Sequence, residues 1–144
     1  MKEMEFSIKI EASRKRVWET MWNDATFRDW ASNIDEGTFM KGTLEEGKDV
    51  QFLSSSSGYG VTSLVESMVP HEYIRFKHGA DTKEMGRSER DQEWTGGRES
   101  YRLVEEADAT WLTVKTEVPP EQVETFTYRL PLALARIKFL AESE

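Results

Sequence analysis

The chain reads as one α+β domain, a curved antiparallel sheet of about seven strands wrapped around a long C-terminal helix, with two short helices after the first strand. Three observations predict this. Apolar and polar residues alternate at period two in most segments between residues 38 and 118 and in a first strand before them. After Pro119 and Pro120 the period changes to three and four. The strands also come as a run bracketed by helices instead of alternating with them, which argues against a parallel βαβ sheet and for an antiparallel one with helices on one side.

Taken in order, Phe6, Ile8 and Ile10 alternate with Ser7, Lys9 and Glu11, the pattern of a half-buried strand. Ser13 then offers a side-chain oxygen to cap a helix that carries Val17, Trp18 and Met21. Arg14, Lys15 and Arg16 place positive charge in its first turn, against the macrodipole, so packing has to assist that cap. Asp24 is read as the cap of a second short helix through Phe27 and Trp30, ending before a turn region at 33–37. Strands are predicted over 38–41, 50–54, 59–68, 72–78, 99–104 and 110–118, separated by turn residues at 45–49, 54–60, Pro70 and 105–109. The serine run at 54–57, with Gly58 and Gly60 beside it, reads as a hairpin turn and not a linker.

Residues 79–97 are the least regular part, rich in charge and glycine, and read either as a mobile flap or as a partly ordered edge. Trp94 is the one aromatic there, and its indole is expected to fold over the pocket mouth when a ligand binds. In the last segment Val123, Phe126, Leu130, Leu134, Ile137 and Leu140 or Ala141 share a helical face. Pro131 deletes one backbone hydrogen bond and crowds the carbonyl of Thr127, so a kink or break is expected over 128–130. No internal repeat or second domain interrupts residues 1–144.

Composition narrows the function. Hydrophobic residues make up 38% and aromatics 11% of the chain although 32% is charged, which predicts a real core and not disorder. The net charge of −8 repels a phosphate backbone, so nucleic acid is not an expected partner. The absence of cysteine removes disulfides, thiolate nucleophiles and cysteine-based zinc sites, and fits a reducing compartment. Residues 1–10 hold no apolar h-region and no run of about 18 apolar residues occurs, so the expectation is a cytoplasmic protein with no stable membrane association.

Several segments stand in a telling order: Ile10-Glu11-Ala12-Ser13 followed by Val17-Trp18, then Phe27-Arg28-Asp29-Trp30, then Val65-Glu66-Ser67-Met68-Val69-Pro70-His71-Glu72-Tyr73-Ile74-Arg75-Phe76. Thr110-Trp111-Leu112-Thr113-Val114 and Leu130-Pro131-Leu132-Ala133-Leu134 with Ile137-Lys138 complete the set. Through them the chain resembles the START-like superfamily, also called SRPBCC or the Bet v 1-like helix-grip fold. Within it the chain is similar to the branch of the activator of the ninety-kilodalton heat-shock protein ATPase. The resemblance implies a central hydrophobic pocket, used across the superfamily for lipids, polyketides, hormones and other apolar molecules. It implies catalysis in only some branches and no invariant catalytic triad. The polar 79–97 segment departs from many relatives at the pocket entrance.

Motifs for chemistry are few. His71 in the Pro70 turn and His78 at a strand end are isolated, and no His-Glu-x-x-His occurs. A transition-metal site made without cysteine from two histidines would be mostly carboxylate, so neither metal nor cofactor is expected. There is no G-x-S-x-G elbow, Walker loop or dinucleotide fingerprint, since Gly58-Tyr59-Gly60 lacks the third glycine and the following helix. The acidic groups Glu45-Glu46, Glu105-Glu106 and those at 142–144 fall in turns or at the C-terminus and read as solvated. No catalytic residue is assigned.

The candidate ligand-binding set is Trp30, Phe39, Phe52, Phe76, His78, Trp94, Glu99, Tyr101, Phe126, Leu130 and Leu134. Core packing alone accounts for any one of these aromatics; it is their excess over a small core's needs that suggests a lined pocket. Alternation turns Ile74, Phe76 and His78 inward, with Tyr73, Arg75 and Lys77 outward; Tyr101, Leu103, Leu112 and Val114 also face in, and Trp111 faces out. Glu99 shares the inward face and meets His78 at the pocket mouth, unless a bulge at Gly96-Gly97 or a strand end turns it to solvent. The leading expectation is binding or carriage of a small hydrophobic or aromatic ligand. The alternatives are interaction with a chaperone or other protein, as the branch resemblance implies, and an enzyme of the cyclase, aromatase or hydrolase type working with little more than shape and one acid.

Overall fold

Strand β1 (Lys2–Ile10) opens the chain, and helices α1 (Arg14–Trp22) and α2 (Asp24–Ala31) follow it. Strands β2 (Thr38–Lys41), β3 (Asp49–Ser54), β4 (Tyr59–Val69), β5 (Tyr73–Lys83), β6 (Gly86–Arg87), β7 (Arg98–Glu106) and β8 (Ala109–Val118) come next. A single 3-10 turn (Pro120–Gln122) then leads into α3 (Val123–Glu142). The computed structural model describes all residues except 57, 84, 85, 88–94 and 144. The sheet runs β1-β8-β7-β5-β4-β3-β2, antiparallel throughout, with the two-residue β6 attached to β5. Seven strands therefore make the continuous curled sheet, and α3 lies along it beside α1 and α2, the architecture the periodicities predict.

Curvature has identifiable sources. The β4–β5 register shifts between Val61 and Ser63 and again between Val65 and Ser67, and such irregularities bend and twist a strand. At Gly60 the chain passes so close to β3 that a Cβ would sit 1.9 Å from the Phe52 carbonyl oxygen. Only glycine lets β3 and β4 meet at that corner. The inner face presents Val65, Ile74, Phe76, Tyr101, Leu103, Leu112 and Val114, all buried, to Leu130, Ala133, Leu134, Ile137 and Ala141 of α3. Trp111, on the other face, is 38% exposed, as alternation requires.

Side chains tie the helices together. The Ser13 hydroxyl accepts from the Arg16 amide at 3.2 Å and caps α1. The basic first turn that opposes the α1 macrodipole is used elsewhere: the Arg16 guanidinium donates to the carbonyls of Ala141 (2.9 Å), Leu140 (3.4 Å) and Ser143 at the end of α3, where cations are favoured. Arg14 pairs with Glu72 at 3.1 Å. The Trp30 indole donates to the Met21 carbonyl at 2.9 Å, locking α2 onto α1, and Arg136 grips Asp29 through two hydrogen bonds of 2.6 and 2.9 Å, locking α3 onto α2.

Three local expectations are corrected. Asp24 does not cap α2: Asn23 takes the extended cap position, and Asp24 is the first helical residue, where its carboxylate accepts from Arg28 one turn on at 3.0 Å. Pro131 does not break α3, which runs unbroken through it. Leu130, Ala133 and Leu134 pin the helix into the core on both sides of the proline, while Pro131 and Thr127 lie on the exposed face, where water can satisfy the orphaned Thr127 carbonyl. Strand β5 also continues past His78 to Lys83, pairing with β4 as far as Tyr59, so the first part of the 79–97 segment is sheet. The turn expected between β3 and β4 is closed by the Gly58 amide on the Ser54 carbonyl at 2.7 Å. Among the described residues no helix is long and apolar enough to cross a membrane.

Candidate ligand-binding cavity

Where the curved sheet parts from the helices it leaves a cavity of about 410 Å³. Its walls come from all three helices and from the sheet. Trp22 ends α1, while Phe27, Trp30 and Ala31 lie on α2; Phe52 comes from β3, and Phe126 from α3. The rings support one another edge to face. Trp22 stands 5.2 Å from Tyr101 and 5.7 Å from Phe76 between ring centres, and Phe52 stands 5.1 Å from Phe76 at 88°. Asp35, Thr125 and Arg129 also line the cavity and are exposed, so they mark its solvent side; the Arg129 guanidinium is held by the Ile34 carbonyl at 3.1 Å.

The polar end is built on β4, β5 and β7. Glu99 sits opposite Phe76 on one neighbour and Thr116 on the other, and its side chain turns inward with 23% of its surface exposed, on the cavity wall. The Tyr101 hydroxyl, two residues along the same face, donates to Glu99 Oε2. His78 Nε2 faces Glu99 Oε1 at 3.4 Å, and His78 Nδ1 meets the Ser63 hydroxyl at 2.7 Å. The ladder holds His78 in place through its amide on the Gly97 carbonyl and its carbonyl on the Gly96 amide, both at 2.8 Å. Gly96 takes a φ of 88°, which glycine tolerates without strain. The strand end therefore keeps Glu99 inside instead of turning it to solvent.

Burial pushes the Glu99 carboxyl up, but the hydrogen bond and charge of His78, then the Tyr101 hydroxyl, outweigh it and hold the group below its ordinary value. The buried Thr116 hydroxyl favours the anion more weakly. Burial and the neighbouring carboxylate push the Tyr101 phenol well up, so it stays protonated as a donor. Among the described residues no three groups of the metal-ligating kind come together.

Of the residues singled out from the sequence, Trp30, Phe52, His78, Glu99, Tyr101 and Phe126 lie on the cavity wall. Phe39, Phe76, Leu130 and Leu134 do not: all four are buried in packing beside it, and the Arg28 guanidinium stacks over the Phe39 ring at 5.0 Å. Trp94 lies outside the described residues, and with it the expected closure over the pocket mouth. Trp22, Phe27 and Arg129 are wall residues that sequence reasoning passed over. The Phe27-Arg28-Asp29-Trp30 segment held the signal for one of them, since a helix that turns Trp30 inward turns Phe27 with it.

No protein-family model and no curated protein sequence matches the chain. Solved structures do. The Aha1 dimer from Colwellia psychrerythraea superposes with a TM-score of 0.72 at 17% identity, over 99% of this chain and 97% of that one. CalU16 from Micromonospora echinospora matches at 0.65 and 16%, over 97% and 76%. DynU16, from the dynemicin biosynthetic locus, matches at 0.70 and 13%, over 98% of this chain and 47% of its own. The chain has the START-like helix-grip fold. At these identities the likeness speaks for the fold alone. The START-like fold explains why the cavity lies between α3 and the sheet, because a sheet that curls around a helix cannot touch it along its whole length.

Proposed function

We propose that this START-like protein binds and carries a small hydrophobic or aromatic molecule in the cavity. The observation that supports the reading is the cavity itself: about 410 Å³, with the rings of Trp22, Phe27, Trp30, Phe52, Tyr101 and Phe126 on its wall and the His78, Glu99 and Tyr101 polar cluster at one end. That cluster favours holding a ligand over reacting with it. A general base works best with a pKa near the operating pH, and the Glu99 carboxylate is held on the wrong side of its ordinary value for that task. Native mass spectrometry and thermal shift with a panel of fatty acids, flavonoids and polyketide-like compounds test the reading. A retained ligand and a raised midpoint are expected; a panel with no shift and no adduct would reject carriage.

A second reading, association with a chaperone, is favoured by the Aha1 likeness, which spans 99% of the chain. Retention on immobilised chaperone at low and high salt separates it from ligand carriage. Failure at both salts removes it.

A further inference from the structure

The polar end of the cavity can be counted donor by donor. The Tyr101 O–H is committed to Glu99 Oε2, and its phenol stays protonated because burial and that carboxylate push it up. His78 spends one ring nitrogen on Ser63 and turns the other to Glu99 Oε1. The Ser63 hydroxyl is buried and off the cavity wall, and so is that of Thr116. The Trp22 ring lines the wall, but its Nε1 is itself buried and shows the cavity no surface. An ionised carboxylate offers about four lone-pair sites; Tyr101 and His78 face two of them and the Thr116 hydroxyl favours the anion from the neighbouring strand, which leaves at least one site open. Among the described residues, what remains on the wall at this end is acceptor capacity without a matching donor. A neutral imidazole with its proton on Nδ1 would turn an acceptor to Glu99 and add to this excess, and the other two forms of the ring leave the count as it stands.

Resting on the carriage reading above, we propose that the cavity selects small aromatic ligands that bring a hydrogen-bond donor, a hydroxyl or an N–H, to Glu99, and turns acceptor-only heads such as carboxylates, esters and ethers away from that end. An acceptor-only head would strip water from Glu99 and return nothing, leaving a buried charge under-bonded. A carboxylate head adds direct repulsion between like charges. The opposite end of the ligand meets the other chemistry, since Gln122, Thr125 and Arg129 put donors along the wall near the solvent side. The bound molecule is therefore oriented with its donor at Glu99.

Titration calorimetry with naphthol, naphthylamine, the methyl ether of naphthol and naphthoate tests this on one ring system. Naphthol or naphthylamine should bind roughly tenfold or more tightly than the ether or naphthoate. The stronger of the first two tells whether the donor is a hydroxyl or an N–H. Glu99→Gln supplies an amide donor at the same place, so it should narrow the naphthol-to-ether ratio and admit naphthoate. The ranking on the unaltered protein stands alone if that variant fails to fold. Equal binding of naphthol and its ether would overturn the donor rule while leaving carriage intact. Binding of none of the four, with the wider panel also silent, would overturn both.

Discussion

Phe76 touches the rings of Trp22, Phe52 and Tyr101 and is wholly buried, yet it does not line the cavity. Phe76→Ala should therefore cost the full core loss, about 3–5 kcal/mol, read as a shift of the denaturation midpoint. A loss below about 1 kcal/mol would mean that the ring borders empty space after all. Glu99 predicts a pH effect instead. Its folded value lies below the ordinary 4.5, so its contribution to stability is complete above about that pH and is lost as the pH falls through the folded value. Thermal midpoints followed from neutral pH downward should fall less steeply below pH 4.5 in Glu99→Gln than in the unaltered chain; parallel curves would show that Glu99 keeps its ordinary value. The inward set was legible at this scale because alternation in a strand is local geometry: Ile74, Phe76, His78, Tyr101 and Leu103 all face in. Trp22 was not, because its surroundings are set by how α1 meets α2, through contacts such as the Trp30 indole on the Met21 carbonyl.

At the scale of elements, Gly60 and Pro131 make opposite predictions. Gly60→Ala drives a methyl into the backbone of Phe52 and Leu53, which cannot move aside as a side chain can, so it should destabilise by about 1–3 kcal/mol or more and disturb the β3–β4 pairing. Pro131→Ala restores an amide to the middle of a helix that already runs unbroken through the position. It should raise the thermal midpoint, with a gain of up to about 3 kcal/mol, and exchange at the new amide should be protected by the Thr127 carbonyl. A lower midpoint would mean that α3 is shaped around the proline. Of the kink or break expected at Pro131 the break does not occur, because a lost hydrogen bond is visible in a sequence, whereas the packing of Leu130, Ala133 and Leu134 that outweighs it is tertiary. The same holds for β5: its extension to Lys83 depends on a partner in β4, and no local pattern announces a partner.

At the scale of the whole molecule, the antiparallel order followed from hairpin connections, but the cavity did not, because a void is what many rings fail to fill and no one residue encodes it. Ala31 gives a way to probe it. This buried alanine of α2 lies on the wall, so Ala31→Leu should fill space, hold or raise stability, and abolish ligand binding. A midpoint lowered as by overpacking would show that the cavity is closed at that point. One pairing sets the terms on which such a molecule is made. Strand β1 joins β8, with Lys2 opposite Val118 and Ile10 opposite Thr110, a span of roughly a hundred residues or more. A ribosome adding about 5–20 residues each second leaves the first strand waiting about 5–20 seconds for its partner to be synthesised. During that interval β1 is an open hydrogen-bonding edge beside other nascent chains. Lys2, Glu3, Glu5 and Lys9, exposed in the finished fold, are the charges that discourage a stranger from pairing with it first.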